Sequence, residues 1–206
     1  LEFAKTNNII LVFDEMQSGF GRTGKLFGYM HYNDEPDMIA CGKGASSGVP
    51  LSIVLGSKEI MDSTEIGAMS STHSANPLVC VVGHANLRAL IEDKIIENAE
   101  KMGVVLHKRL HEIKARFPDL ISDILGKGLM ASLIFTTGID RKPLGAFVSK
   151  VSLRSLESGL ILVHTSRGSI KIGPPLTITK DALLEGLMVL EQAINETKKE
   201  YPELTT

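Results

Sequence analysis

An aspartate and a lysine, each placed just after a short apolar run, are the residues of this chain best suited to catalysis. Asp14 follows the run Ile9–Phe13, and Lys43 lies 29 positions further on, between two glycines that would let a bulky cofactor approach the backbone. A lysine amine can hold an aldehyde as a Schiff base, and a carboxylate can keep a pyridine nitrogen protonated. The pair therefore matches the needs of a pyridoxal phosphate site. The spacing alone leaves a second interpretation open, in which Lys43 is a solvated loop lysine and Asp14 a helix cap or surface acid.

The glycine-rich segment after Asp14 matches two nucleotide-binding patterns. Residues 19–24 fit G-x-G-x-x-G, and with Lys25 they fit most of the phosphate-binding loop G-x-x-x-x-G-K. Leu26 cannot supply the hydroxyl that this loop gives to magnesium, and Asp14 and Glu15 would repel a pyrophosphate at the strand end. We therefore interpret the segment as a loop whose glycines allow tight turns.

Three short apolar segments in the first part of the chain predict strands that position these residues. They are Ile9–Phe13, Pro36–Cys41 and Leu51–Gly56. The first is a continuous apolar run, which is typical of a buried parallel strand. Functional residues at the ends of such strands predict an α/β sheet domain.

Helical periodicity begins at Pro77 and continues to about Phe117, where Pro118 ends it. The remainder alternates strands and helices, which predicts a smaller α+β domain. The expected elements are extended segments at Leu129–Phe135 and Leu160–Val163 and helices at Phe147–Glu157 and about Lys180–Lys199, the last one starting after Thr179.

The composition is ordinary for a globular protein in a reducing compartment. A net charge of −2 gives no attraction to nucleic acid or to an anionic membrane surface. No apolar run approaches the roughly 20 residues of a membrane span. Cys41 and Cys80 form no disulfide or metal-ligand pattern, and His73 and His84 have no partner cluster, so no metal site is expected. We expect a cytoplasmic protein.

Five segments of the chain resemble landmarks of the class-III, ornithine/omega-type aminotransferases, in the same order. They are Asp14–Lys25 (D-E-M-Q-S-G-F-G-R-T-G-K), Pro36–Leu51 with its G-K-G, Ser71–Leu78, Gly126–Met130 and Pro174–Ile178. The resemblance covers most of the chain and implies a fold type I transferase. Residues 1–100 would belong to the large α/β domain, with the start of the connecting helix, and residues 101–206 to the small α+β domain.

The resemblance also implies roles for four residues. Lys43 would form the Schiff base with pyridoxal 5'-phosphate, and Asp14 would hold the pyridinium nitrogen. Gln17 would lie near the phenolic oxygen of the cofactor. Thr72 would bind a phosphate held mainly by the partner subunit, which implies a homodimer with active sites at the interface. Two alternatives stay open: Gln17 satisfies a backbone group, and Thr72 caps the helix that begins near Pro77.

The implied activity is transfer of an amino group from a primary amine or amino acid to an oxo acid or aldehyde. Alternatives are another pyridoxal phosphate reaction (aminomutase, racemase or decarboxylase) and a truncated half that is inactive alone. One departure concerns the substrate: Lys171 stands where the family commonly has an arginine that clamps a carboxylate. Lysine is a point charge without the planar fork of arginine, so recognition is expected to be weaker or relocated, with Arg167 as a second candidate.

The length is the other departure, because members of this family are about twice as long. The chain begins Leu1-Glu2-Phe3, without an initiator methionine or a helix start signal. We expect a fragment of a larger enzyme, or one of two polypeptides, that lacks an N-terminal half and binds the cofactor poorly alone.

Overall fold

The computed structural model describes residues 2–32 and 34–205. The chain forms two compact units, Leu1–Glu97 and Asn98–Thr206. The division falls within the first turn of a helix that runs from Ile95 to Arg116.

The first unit contains a three-stranded sheet. Its strands are β1 (Val12–Asp14), β2 (Met38–Cys41) and β3 (Ile53–Gly56), in the order β1-β2-β3. The pair β1 and β2 is parallel, and the pair β2 and β3 is antiparallel. The helices of this unit are α1 (Glu2–Thr6), α2 (Lys58–Met61) and α3 (Pro77–Glu92), with short 3₁₀ helices at Gly28–His31 and Lys43–Ala45.

The first strand is shorter and more exposed than its sequence indicates. It begins at Val12, and the side chains of Ile9, Ile10 and Val12 are 49%, 57% and 51% exposed. The prediction of a parallel strand is confirmed, and the prediction that it is buried is wrong for this chain. The reason is that β1 is the edge of its sheet, so among the described residues it has a neighbouring strand on one side alone.

The helical stretch from Pro77 divides into two helices. The first, α3, ends at Glu92, and α4 (Ile95–Arg116) begins after Lys94, whose backbone φ of +54° interrupts the helix. The side chain of Asn76 accepts a hydrogen bond from the Leu78 N–H at 3.0 Å and caps α3. The alternative in which Thr72 caps this helix is therefore wrong.

The second unit pairs an antiparallel sheet with three long helices. The strand order is β4-β5-β8-β7, and β6 pairs with β5. The strands are β4 (Ile121–Lys127), β5 (Met130–Thr137), β6 (Lys142–Pro143), β7 (Val163–Thr165) and β8 (Ser169–Ile172). The helices that follow α4 are α5 (Gly145–Glu157) and α6 (Lys180–Glu200), and Thr179 caps α6 as its position predicts.

Alternate residues of β5 are buried, so one face of the sheet carries the core. Ala131, Leu133 and Phe135 form one cluster with buried residues of β8 and of the three helices. The rings of Phe135 and Phe147 lie 6.0 Å apart between centroids. No helix in residues 2–32 and 34–205 is long and apolar enough to cross a membrane.

His107 on α4 makes the stability of the second unit sensitive to pH. Its Nε2 atom is buried without a hydrogen-bond partner among the described residues. Burial lowers the pKa of His107, a hydrogen bond with the Gly128 backbone opposes this change, and the neighbouring His111 adds to it. Because the pKa is lower in the folded state, protonation favours the unfolded chain. The stability is complete above the unfolded-state pKa of 6.5 and decreases as the pH falls through it.

We therefore expect the free energy of unfolding to fall between pH values of about 7.5 and about 5.5, and to fall less in His107→Gln. Urea denaturation at both pH values measures the difference. His164→Gln, at an exposed position of β7, is the control and should behave nearly as the parent chain does. Equal losses in the parent chain and His107→Gln would show that other groups cause the pH dependence.

Candidate active site

The register of β1 and β2 brings Asp14 and Lys43 to the same edge of the first sheet. Asp14 lies beside Ala40 in this parallel pair, and the N–H of Glu15 donates to the Ala40 carbonyl at 2.9 Å. The strand β2 ends at Cys41, so Lys43 leaves the sheet at the edge where Asp14 ends β1. The carboxyl ends of parallel strands are where α/β proteins place their chemistry.

Asp14 is exposed and uses one carboxylate oxygen locally. Its Oδ1 accepts a hydrogen bond from the Met16 N–H at 2.9 Å, which turns the chain out of β1. Its Oδ2 has no hydrogen bond or ion pair among the described residues. Oδ2 is therefore available to accept a hydrogen bond from a protonated nitrogen.

Lys43 is exposed and has an unusual backbone conformation. Its φ is +43°, in the left-handed region that residues other than glycine seldom adopt. Its amine has no hydrogen bond or ion pair within the described part of the chain. Such strained positions occur at functional sites when the surroundings hold them.

The glycines beside Lys43 are explained by packing of the protein against itself. A Cβ atom added at Gly42 would lie 2.5 Å from Sδ of Met16, and one added at Gly44 would lie 3.1 Å from Cβ of Phe20. The expectation that these glycines also make room for a cofactor stays a prediction. They let the loop after Asp14 lie directly against the Lys43 segment.

The carboxylate of Glu15 fastens the glycine-rich loop. Glu15 is 2% exposed, and its carboxylate accepts hydrogen bonds from the N–H groups of Gly28 and Tyr29 at 2.9 and 2.8 Å and from the Ser18 hydroxyl. Burial, and then the charge of Glu15, raises the pKa of the Cys41 thiol.

Asn86 on α3 contacts the segment that carries Lys43. Its Nδ2 donates to the carbonyls of Gly44 and Ala45 at 2.8 and 3.2 Å, and its Oδ1 accepts from the Ser47 hydroxyl at 2.7 Å. Sequence analysis did not identify Asn86. The available signal was an amide inside a largely apolar helix, where asparagine is unfavourable unless its side chain has partners.

Gln17 and Thr72 are both exposed and make no hydrogen bond among the described residues. Gln17 lies in the turn after β1, so the alternative in which it satisfies a backbone group is not observed. Thr72 lies in a turn closed by Ser71 and Ser74, whose hydroxyl oxygens are 2.8 Å apart. Both side chains are thus free to contact a ligand.

Lys171 lies in the second unit, on β8. Its neighbours Ile170 and Ile172 are buried in the core, so Lys171 points to the other face of the sheet. Its cross-strand partners are Ser132 and Val163, and it has no ion pair in the described part of the chain. Neither cross-strand partner of Lys171 is acidic, and one of them, Ser132, carries a hydroxyl group.

Similar proteins include both racemases and aminotransferases. The chain is 41% identical to the alanine/serine racemase of Pyrococcus horikoshii over 92% of its length and 40% of that protein. It is 34% identical to the acetylornithine aminotransferase of Synechocystis, covering 94% of this chain and 44% of that one. It is 37% identical to the leucine/methionine racemase of Thermococcus litoralis, with coverage of 94% and 44%.

The crystal structure of the acetylornithine aminotransferase of Elizabethkingia anophelis has a similar fold. It superposes with a TM-score of 0.85 at 34% identity, over 95% of this chain and 48% of that one. The predicted α/β fold of a fold type I transferase is confirmed. The chain spans less than half the length of each of these four proteins. A model of the family described as aminotransferase class-III matches residues 1–194. The chain belongs to the class-III aminotransferase family.

Proposed function

We propose that the protein is a pyridoxal-phosphate-dependent aminotransferase that moves an amino group from a primary amine or amino acid to an oxo acid or aldehyde. One observation carries the proposal: Asp14 and Lys43, the carboxylate and the amine that the cofactor requires, leave adjacent parallel strands at one edge. The acetylornithine aminotransferases among the similar proteins support it.

The side chains at this edge suit the cofactor. When bound, pyridoxal phosphate supplies an electron sink that makes the bonds to the substrate α-carbon easier to break. Oδ2 of Asp14, which has no partner among the described residues, would accept the N–H of the pyridine ring and would keep that nitrogen protonated, because a nearby negative charge favours the cationic form. The Lys43 amine would hold the cofactor through its aldehyde group, and as a free amine it would take a proton from the substrate carbon and return it.

Gln17 and Thr72 would complete the contacts of this chain with the cofactor. The exposed amide of Gln17, three residues after Asp14, would donate to the phenolic oxygen. The Thr72 hydroxyl and N–H would bind the phosphate, which would be held mainly by the partner subunit of a homodimer. The active sites would then lie at the interface of two subunits.

Lys171 would bind the carboxylate of the substrate. The absence of an acidic cross-strand neighbour supports this role, and Ser132 beside it offers a hydroxyl donor. Lysine provides a point charge instead of the two-pronged contact of arginine. We therefore infer that the substrate carboxylate would be held more weakly than by an arginine at this position.

Amino-acid racemisation is the second candidate function. Two of the similar proteins are racemases, and one of these is 41% identical to this chain. Racemisation needs the same lysine and the same ring-nitrogen partner, and it differs because the proton returns to the opposite face of the substrate carbon and no acceptor is consumed.

An assay with and without an acceptor separates the two functions. The holoenzyme is incubated in heavy water with L-alanine, L-leucine or N-acetylornithine, with or without a 2-oxo acid. An aminotransferase forms oxo product in proportion to the acceptor and stops after one half-reaction without it. A racemase accumulates the D-enantiomer, deuterated at the α-carbon, without an acceptor. If neither product forms, both proposals are wrong for this chain, and the remaining alternative, a half that is inactive alone, holds.

A further inference from the structure

We propose that Asn86 is the positioning residue that holds the lysine loop, residues 42–49, in the conformation that presents the Lys43 amine. The inference rests on the proposed role of Lys43. It gives Asn86, a side chain of α3, a supporting role that none of the proposed cofactor-binding residues has.

The nitrogen and the oxygen of the Asn86 amide both form hydrogen bonds with the lysine loop. The Nδ2 atom donates to the carbonyls of Gly44 and Ala45, the two residues that directly follow Lys43, at 2.8 and 3.2 Å. The Oδ1 atom accepts from the Ser47 hydroxyl at 2.7 Å. A single half-buried side chain thus joins three residues of the loop to a helix of 16 residues.

The loop needs such support because its backbone is strained. Lys43 and Ser47 have φ values of +43° and +60°, which persist in residues other than glycine when the surroundings enforce them. Asn86 contacts Gly44 and Ala45, which lie between these two residues, and Ser47 itself. The helix also lies close to the end of the loop, since a Cβ added at Gly83 would meet the Leu51 Cδ2 at 2.6 Å.

The direction of the amine depends on this backbone. The Lys43 side chain has no hydrogen bond of its own among the described residues, so the position of its Cα and the φ value determine where the amine can reach. A side chain mounted on a helix is a more rigid support than another loop. Removing the Asn86 amide would leave the lysine in place and would remove the three hydrogen bonds that tie its loop to α3.

Hydrogen exchange of the chain without cofactor tests the support directly. The amides of Ala45 and Ser46 donate to the carbonyls of Gly42 and Lys43, and they exchange when the loop opens. In Asn86→Ala we expect both to exchange at least about tenfold faster, because several hydrogen bonds are lost together. The matched control is Asn98→Ala, which removes an amide that donates to the Leu176 and Ile178 carbonyls at 2.7 and 3.2 Å in the second unit. It should leave the loop amides unchanged.

Covalent attachment tests the consequence for the lysine. Pyridoxal phosphate is added to each variant, trapped by borohydride, and located by peptide mapping. The rate of attachment at Lys43 should fall about tenfold in Asn86→Ala and less in Ser47→Ala, which removes one of the bonds and leaves both carbonyls satisfied. Because Ser47→Ala is a mild change at an exposed position, it keeps the test decisive if Asn86→Ala fails to fold.

Three outcomes are informative. Unchanged exchange of the loop amides in Asn86→Ala overturns the proposal, and so does faster exchange with an unchanged rate of attachment at Lys43. If the parent chain itself attaches no cofactor at Lys43, the proposed function fails instead, and the exchange comparison still decides whether Asn86 holds the loop.

Discussion

Lys43→Ala is expected to abolish the covalent attachment of pyridoxal phosphate to this site. After borohydride treatment the parent chain should carry the pyridoxyl group on the peptide that contains Lys43, and the variant should carry only background label. The physical reason is that the cofactor aldehyde would need a nucleophilic nitrogen at the edge where Asp14 would bind the ring, and Lys43 is the lysine that follows β2. Peptide mapping by mass spectrometry and the visible absorbance of the mixture measure the loss.

Two further variants separate chemistry from charge. Lys43→Arg keeps the positive charge and cannot form the bond, because the guanidinium stays protonated at neutral pH. It should therefore attach as little cofactor as Lys43→Ala. Lys25→Ala changes an exposed lysine of the glycine-rich loop and should attach cofactor as the parent does. A parent chain labelled mainly at another lysine, or a variant labelled at the parental rate, would show that the assignment of Lys43 is wrong.

Gly103→Ala is expected to destabilise the second unit, although alanine is the better helix former. Within a helix this exchange normally stabilises by about 1 kcal/mol. Here the added Cβ would lie 2.5 Å from Cα and 2.7 Å from the carbonyl carbon of Gly128, which are backbone atoms of the turn between β4 and β5. Separating α4 from this turn should cost about 1–3 kcal/mol or more, so the steric effect exceeds the gain in helix propensity.

Gly186→Ala on α6 is the matched control for this prediction. Its added Cβ would meet only the Leu160 Cδ1, at 3.4 Å, which is ordinary contact with a side chain. This variant should become more stable by roughly 0.5–1 kcal/mol. Urea denaturation of the three proteins measures both signs. A stabilised Gly103→Ala would mean that α4 and the Gly128 turn are not in close contact in solution.

The family and the main chemical residues could be predicted from the sequence because they depend on local patterns. Asp14 and Lys43 follow apolar runs that form strands, and Thr179 caps the helix predicted after it. These features involve neighbouring residues, whose side-chain chemistry and spacing are visible in the chain itself. The landmarks around them identify the class-III family for the same reason.

The tertiary structure decided which residues hold the site in place. Asn86 reaches Ser47 across 39 positions of sequence, and Glu15 reaches Gly28 across 13. Such hydrogen bonds depend on how helices and loops fold against each other, and no periodicity encodes them. The exposure of β1 also depends on the tertiary structure, because an apolar run is buried only where another element covers it. The sequence by itself thus determined the family and selected Asp14 and Lys43 as the residues proposed for the chemistry, because the motifs around them are local. Only the fold decided that the glycines beside Lys43 serve close packing, and that an amide on α3 supports the loop.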